Sequence, residues 1–263
     1  MIDCLENRRL LAGVTLLAHG INGNINGWIA AASQAIVQRA GGADAAAVYT
    51  MRIERSGGDI RVASLTKDPG SKGLAETTSG EMIVRISWAE VAGANVNVKS
   101  VGEALARFLL QPQGDLPALA TLPLHLVGHS RGAALMAQTA RFLGKRGVAV
   151  DHLTLLDPVP VAGLPNWLND QFGDGAVAAY DNVVFAETYW RRGGEALNGA
   201  HIAGTYNGDL NQSVGQHHLF SAHAAVPAYW VGTIDPTATT AGDHPIYPQW
   251  YGTTSDKPAR DQT

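Results

Sequence analysis

One short segment constrains the fold of this chain more than any other: an apolar run that ends at a serine between two glycines. Leu124 to Val127 are followed by Gly128, Ser130 and Gly132, and a stretch rich in alanine and leucine begins directly afterwards. This order predicts a strand, a sharp turn with the serine at its tip, and a helix. Glycine suits both flanking positions because backbone passes so close to such a turn that a Cβ would collide with it.

The rest of the chain alternates between strand-like and helix-like segments. Strands are predicted over residues 14–18, 47–55, 60–65, 81–90, 124–129, 148–156 and 182–190. Helices are predicted over residues 28–39, 98–110, 133–143 and 222–233. The alternation predicts an α/β fold with a mostly parallel central sheet and helices on both faces.

The chain has no linker-like change in composition, so one domain is expected over residues 1–263, with its core at residues 14–235. Residues 57–80 and 158–181 are predicted to be loop or cap excursions from that core. Residues 236–263 contain four prolines (Pro236, Pro245, Pro248 and Pro258) and are predicted to form a surface tail.

Composition excludes several classes of protein. Hydrophobic residues make up 46% of the chain and charged residues 16%, which argues against disorder. The net charge is −4 and the basic residues are scattered, so no basic patch for binding nucleic acid is expected. No apolar run reaches the roughly 18 residues of a membrane helix, so no integral membrane segment is expected. Cys4 is the only cysteine, which excludes an internal disulfide. The sequence does not define an oligomeric state.

The N-terminal region allows two interpretations. Arg8 and Arg9 precede the apolar residues 10–18, as in a signal peptide. However, the apolar run continues directly into His19 and Gly20 without a spacer, and the α/β interpretation requires residues 14–18 as a central strand. We therefore favour the strand.

Three chemically suited positions fall at the carboxyl ends of predicted strands: His19-Gly20, Ser130 and Asp157. Parallel sheets place their sites at this edge. A serine becomes a nucleophile when an imidazole takes its proton and a carboxylate orients that imidazole. The chain supplies these groups in the order Ser130, Asp157, His223, which predicts a catalytic triad.

Two of these roles have more than one candidate in the sequence. Glu187, Asp181 and Asp209 could each supply the acid, with Glu187 the strongest of the three. His218, and after it His217, could supply the base in place of His223.

An oxyanion needs N–H donors, usually two from the backbone. The first is predicted at Arg131, the residue after the nucleophile, at a helix N-terminus. The second is predicted at Ile21 in the turn after the first strand, with Asn22 as the alternative. Both assignments depend on position alone.

Three further histidines have structural interpretations: His125 and His152 lie within strands, and His129 is expected to support the turn. No metal or cofactor is predicted, because the asparagine-rich turn after residue 20 lacks carboxylates and the segment around Ser130 is not a phosphate-binding loop.

Four aromatic residues near strand ends are predicted to line an apolar acyl pocket: Trp28, Trp88, Trp167 and Tyr189. The alternative for each of them is packing in the core.

Five segments together resemble the lipase and esterase branch of the α/β-hydrolase superfamily. They are residues 15–20 (TLLAHG), 84–88 (VRISW), 127–132 (VGHSRG), 155–158 (LLDP) and 223–230 (HAAVPAYW). The resemblance implies hydrolysis of carboxylic esters through an acyl-enzyme, with no cofactor. An Asp-Pro pair just after the nucleophile helix is similar to the arrangement in pancreatic-type lipases, which favours Asp157 over Glu187.

The chain also departs from that branch. Arg131 stands where leucine or glutamine is common, and no long lid is evident, so activity at an oil interface is not implied. The opening residues 5–11 (LENRRLL) resemble the start of some large bacterial surface proteins, which points to a relationship with exported proteins.

The sequence therefore predicts a serine esterase or lipase acting on a small-molecule or lipid ester. Its activity should fall below about pH 6 to 7, where a histidine base is protonated. A non-catalytic binding or structural domain on the same fold is a second hypothesis, and an acyltransferase or amidase with the same triad is a third.

Overall fold

A computed structural model describes residues 13–93, 96–159, 174–192, 199–214 and 221–251. Its centre is an eight-stranded sheet. The strands are β1 (Val14–Ala18), β2 (Ala46–Ser56), β3 (Asp59–Lys67), β4 (Glu81–Ser87), β5 (Leu124–His129), β6 (Val150–Leu156), β7 (Val183–Trp190) and β8 (Tyr206–Asp209). Their order across the sheet is β3-β2-β4-β1-β5-β6-β7-β8.

All neighbouring strands are parallel except β2 and β3, which form an antiparallel hairpin at one edge. Strand β1 lies between β4 and β5, and all five of its residues are buried. This explains its uninterrupted apolar sequence, because both faces of a central parallel strand are covered. Chain order reverses direction beside β1, which is where sheets of this type place their sites.

Among the described residues, four α-helices cover the two faces: α1 (Trp28–Ala40), α2 (Val98–Leu109), α3 (Arg131–Gly144) and α4 (Ser221–Ile234). Helices α2 and α3 enclose the larger apolar core, and α1 and α4 enclose the second one. No helix in the described ranges has the length and apolar character needed to span a membrane.

The predicted α/β-hydrolase fold, with its mostly parallel sheet between helical layers, is confirmed by this arrangement. The strands predicted over residues 47–55 and 60–65 form the antiparallel hairpin of β2 and β3, but the interpretation of residues 57–80 as an excursion from the core is wrong for residues 57–67. Strand β2 pairs with β4 at seven positions, and β3 lies on the other side of β2, so both strands of the hairpin belong to the central sheet. Strand β8 was not predicted, because its four residues include Asn207 and Gly208, which are typical of turns.

The prediction of a surface tail is wrong for residues 236–251. Ala241, Ile246 and Trp250 are buried in the core formed with α1 and α4. A short hairpin joins Thr240–Ala241 to His244–Pro245. The prolines along this segment favoured a surface loop in the sequence-based prediction, so its apolar residues were not predicted to be buried. Residues 252–263, and most of the predicted cap at 158–181, lie outside the described residues.

Candidate active site

Ser130 occupies the sharp turn between β5 and α3. Its backbone has φ 57° and ψ −122°, a conformation that costs a non-glycine residue on the order of 1–3 kcal/mol. A Cβ on Gly128 would overlap the carbonyl of Gly132, and a Cβ on Gly132 would lie 2.6 Å from the carbonyl oxygen of His19. The two glycines therefore allow the strand, the turn and β1 to approach closely.

The turn after β1 lies directly against Ser130. A Cβ on Gly20 would lie 2.8 Å from Ser130 Cβ and 3.2 Å from its Oγ. The indole N–H of Trp88, the residue that follows β4, donates to the carbonyl of His19 at 3.0 Å and fixes this turn. Ile21 follows Gly20 and Arg131 follows Ser130, so both predicted oxyanion donors belong to backbone beside the serine.

Asp157 lies one residue beyond the end of β6, and its side chain is completely buried. Its backbone φ is 43°, and its N–H donates to the carbonyl of Tyr189 at 2.7 Å. The Ser130 N–H donates to the carbonyl of Leu156, also on β6, at 2.9 Å. Ser130 and Asp157 are thus held at adjacent strand ends by main-chain hydrogen bonds.

His223 lies in the first turn of α4, and its imidazole contacts the aspartate. The distance from His223 Nδ1 to Asp157 Oδ2 is 2.6 Å. The His223 side chain is 14% exposed, so it lies at the border between the core and solvent. With Nδ1 donating to the carboxylate, Nε2 is the ring atom available to accept a proton.

Among the described residues, Ser130 Oγ makes no hydrogen bond to His223. The structure brings the predicted acid and base into contact and places the predicted nucleophile on the neighbouring strand end. Hydrogen bonds between catalytic groups are often long in the absence of substrate and shorten when it binds.

Arg191 is a residue of this site that the sequence did not reveal. Its backbone N–H donates to Asp157 Oδ1 at 3.0 Å, and its buried Nε lies 3.6 Å from Asp157 Oδ2. A backbone donor and a guanidinium therefore both lie against the Asp157 carboxylate. Its position in the sequence could have identified it, because Arg191 directly follows β7, the strand next to β6.

Glu187, the strongest rival to Asp157 as the acid, is engaged elsewhere. It accepts hydrogen bonds from Thr154 at 2.8 Å and Tyr189 at 3.1 Å, and it lies 3.2 Å from His152 Nε2. Burial raises the pKa of Glu187, but the His152 contact and the two hydroxyls outweigh this effect, so that the pKa is lowered overall. His152 stacks on His125 with ring centres 4.0 Å apart.

Asp181 and Asp209 do not contact His223 in the part of the chain that the structure describes. Asp181 lies in an exposed turn, and Asp209 accepts hydrogen bonds from Asn211. His217 and His218, the two further candidates for the base, lie outside the described residues.

The predicted pocket aromatics have different surroundings. Trp88 is fully buried and supports the turn after β1, so it has no surface to offer a substrate. Trp28 is 9% exposed and packs edge-on against His129 and Trp230 in the core. Tyr189 is partly buried, with its ring near that of Tyr229. Trp167 lies outside the described residues.

The side chain of Arg131 points into the protein and forms a structural anchor. It binds both carboxylate oxygens of Asp174 at 2.7 Å, and it donates to the carbonyls of Ala92, Gly93 and Val96. The arginine that departs from the lipase pattern thus ties the loop after β4 to the segment before β7.

Within the described ranges, no group of three or more His, Cys, Asp or Glu side chains is arranged to hold a metal ion.

His19 Nδ1 donates to the carbonyl of Gly20 at 2.8 Å. Burial lowers the pKa of His19, although this hydrogen bond opposes the effect.

The solved structures that are similar to this chain include the following two. One is a candidate cell surface hydrolase from Lactobacillus plantarum WCFS1, with 13% identity, a TM-score of 0.43, and coverage of 70% of this chain and 68% of that one. The other is the product of gene lin2722 from Listeria innocua, with 18% identity, a TM-score of 0.39, and coverage of 69% and 70% respectively. No protein-family model matches the chain, and no curated protein matches it significantly.

Proposed function

We propose that this protein is a serine hydrolase that cleaves carboxylic esters, with Ser130 as nucleophile, His223 as general base and Asp157 as the orienting acid. The observation that carries the proposal is the 2.6 Å contact between His223 Nδ1 and Asp157 Oδ2. This contact joins residues 66 positions apart in the chain, and it occurs beside a strained serine turn. A buried carboxylate on Nδ1 leaves Nε2 as the basic atom and stabilises the imidazolium.

In the first step, His223 Nε2 takes the proton of Ser130 Oγ while that oxygen forms a bond to the acyl carbon. The carbonyl oxygen becomes an oxyanion, which the N–H groups of Ile21 and Arg131 stabilise. The tetrahedral intermediate then collapses, and the alkoxide leaves with the proton that His223 returns. This leaves an acyl ester on Ser130.

Water completes the cycle by the same route. His223 takes a proton from the water as its oxygen bonds to the acyl carbon, and it then returns the proton to Ser130 Oγ as the acid leaves. Arg191 stabilises the Asp157 carboxylate through its backbone N–H and its guanidinium. The resemblance of the motifs to lipases and esterases favours esters over other acyl substrates.

The proposal is tested by hydrolysis of p-nitrophenyl esters from acetate to palmitate. Ser130→Ala and His223→Ala should each lower kcat by about 10⁴-fold or more, and Asp157→Asn by about the same factor. Glu187→Gln is the matched carboxylate control and should retain activity.

The proposal would be contradicted if Ser130→Ala hydrolysed esters as fast as the wild-type protein does. Absence of turnover with every ester would favour a non-catalytic binding domain. Formation of a new ester instead of free acid in the presence of an added alcohol would favour an acyltransferase.

A further inference from the structure

Helix α4 carries a proline at Pro227, inside its span from Ser221 to Ile234. Each helical N–H normally donates to the carbonyl four residues earlier, and proline has no N–H. The carbonyl without its helical donor is therefore that of His223, the proposed base. A buried carbonyl left without a partner is unfavourable.

His129 supplies the missing donor. Its Nε2 lies 3.0 Å from the carbonyl oxygen of His223, and its ring lies against the His223 ring with centres 4.5 Å apart. The His129 residue is 8% exposed, and Trp28 packs edge-on against it from α1. One imidazole therefore contacts both the main chain and the ring of His223.

The charge of His129 matters because His223 becomes a cation during the proposed reaction. Burial lowers the pKa of His129 well below its ordinary value. The nearby His223, His244 and His19 lower it further, while the hydrogen bond to the His223 carbonyl opposes these effects. His129 is therefore neutral at pH 7, so it donates from Nε2 without repelling the imidazolium.

We infer that His129 is a positioning residue for the base. It replaces the helical donor that Pro227 removes and thereby holds the His223 ring in contact with Asp157. This inference rests on the proposed function, since it assigns His129 a role in that same site. It also gives a role to the histidine that directly precedes the proposed nucleophile.

The test uses three substitutions in the full chain. His129→Phe keeps a ring against His223 but removes the donor, and kcat should fall by about 10- to 100-fold, with KM little changed, because the base is displaced. Adding Pro227→Ala restores a helical N–H to the same carbonyl and should recover most of the lost kcat. Pro227→Ala alone provides the background for this comparison, and His129→Gln, which keeps an N–H at similar reach, should lose less than His129→Phe.

Proton NMR provides a readout that does not need turnover. The Nδ1–H of His223 in its short bond to Asp157 should give a low-field signal that weakens or shifts in His129→Phe and returns in the double variant. Thermal melting of each variant shows that it is folded. If His129→Phe folds poorly, His129→Leu, which also lacks an N–H donor, takes its place.

The inference is overturned if folded His129→Phe retains wild-type kcat and signal, or if Pro227→Ala restores neither. Failure of the proposed function gives a different pattern. In that case wild-type protein hydrolyses no ester, while the low-field signal still depends on His129 and Pro227.

Discussion

Replacing Arg131 with methionine removes the anchor directly after the nucleophile while leaving the backbone N–H in place. The Arg131 and Asp174 side chains are each 5% exposed, and the pair is bidentate, with both distances 2.7 Å. The same guanidinium binds the carbonyls of Ala92 at 2.7 Å, Gly93 at 3.0 Å and Val96 at 2.6 Å. Methionine fills a similar volume but satisfies none of these groups.

The expected loss of stability follows from these contacts. Removing one partner of a buried ion pair costs about 3–5 kcal/mol, because the other charge remains buried. Asp174 keeps one hydrogen bond, from the N–H of Val98 at 3.0 Å. Each unsatisfied carbonyl adds up to about 1–3 kcal/mol, although such costs are not additive and water can reach some of these groups. We expect Arg131→Met to lower the free energy of unfolding by about 4–6 kcal/mol.

Urea denaturation at pH 7 measures this loss. The matched control is Arg107→Met on α2, whose ion pair with Glu103 is exposed and should contribute less than about 0.5 kcal/mol. The double variant Arg131→Met with Asp174→Leu should be more stable than Arg131→Met alone, because no charge is left buried. A loss below about 1 kcal/mol for Arg131→Met would refute the assignment of this arginine as an anchor.

Two further predictions concern the core around the serine turn. Gly20→Ala should slow ester hydrolysis by about 10-fold or more and cost about 1–3 kcal/mol, because its Cβ would lie 2.8 Å from Ser130 Cβ. Gly27→Ala, whose Cβ would meet nothing within 4 Å, is the control, and equal rates for both variants would contradict the reasoning. Burial lowers the pKa of His125 and His129 below 6.5, so below that pH the unfolded chain binds more protons than the folded chain. Stability should therefore fall as the pH is lowered, by up to about 1.4 kcal/mol per pH unit for each histidine. Urea denaturation between about pH 7.5 and 5 measures this slope, which His125→Gln should reduce and which a pH-independent stability would contradict.

Elements whose periodicity is strong were predicted closely from the sequence. Strand β1 has the predicted bounds, and α2 ends one residue before the predicted end at Leu110. The role of the hairpin in the sheet could not be predicted, because the alternation in β2 fits an isolated hairpin as well as a sheet edge. Only the pairing of β2 with β4 distinguishes these two arrangements.

The part of the candidate site that was predicted followed from the order of residues along the chain. Asp157 and His223 were singled out by their order after Ser130, and the structure brings their side chains together. The supporting contacts were not predictable, because each joins distant segments. Trp88 was expected in a substrate pocket, but its indole N–H binds the carbonyl of His19. The contribution of Arg191 likewise depends on the pairing of β6 with β7.

The identity of the residue that reacts with a fluorophosphonate tests the central claim most directly. Folded wild-type protein treated with this reagent and digested for tandem mass spectrometry should carry one modification, on Ser130. The labelling rate should drop in His223→Ala and Asp157→Asn but not in Glu187→Gln. Absence of modification, or modification at another residue that is unaffected by His223→Ala, would contradict the account.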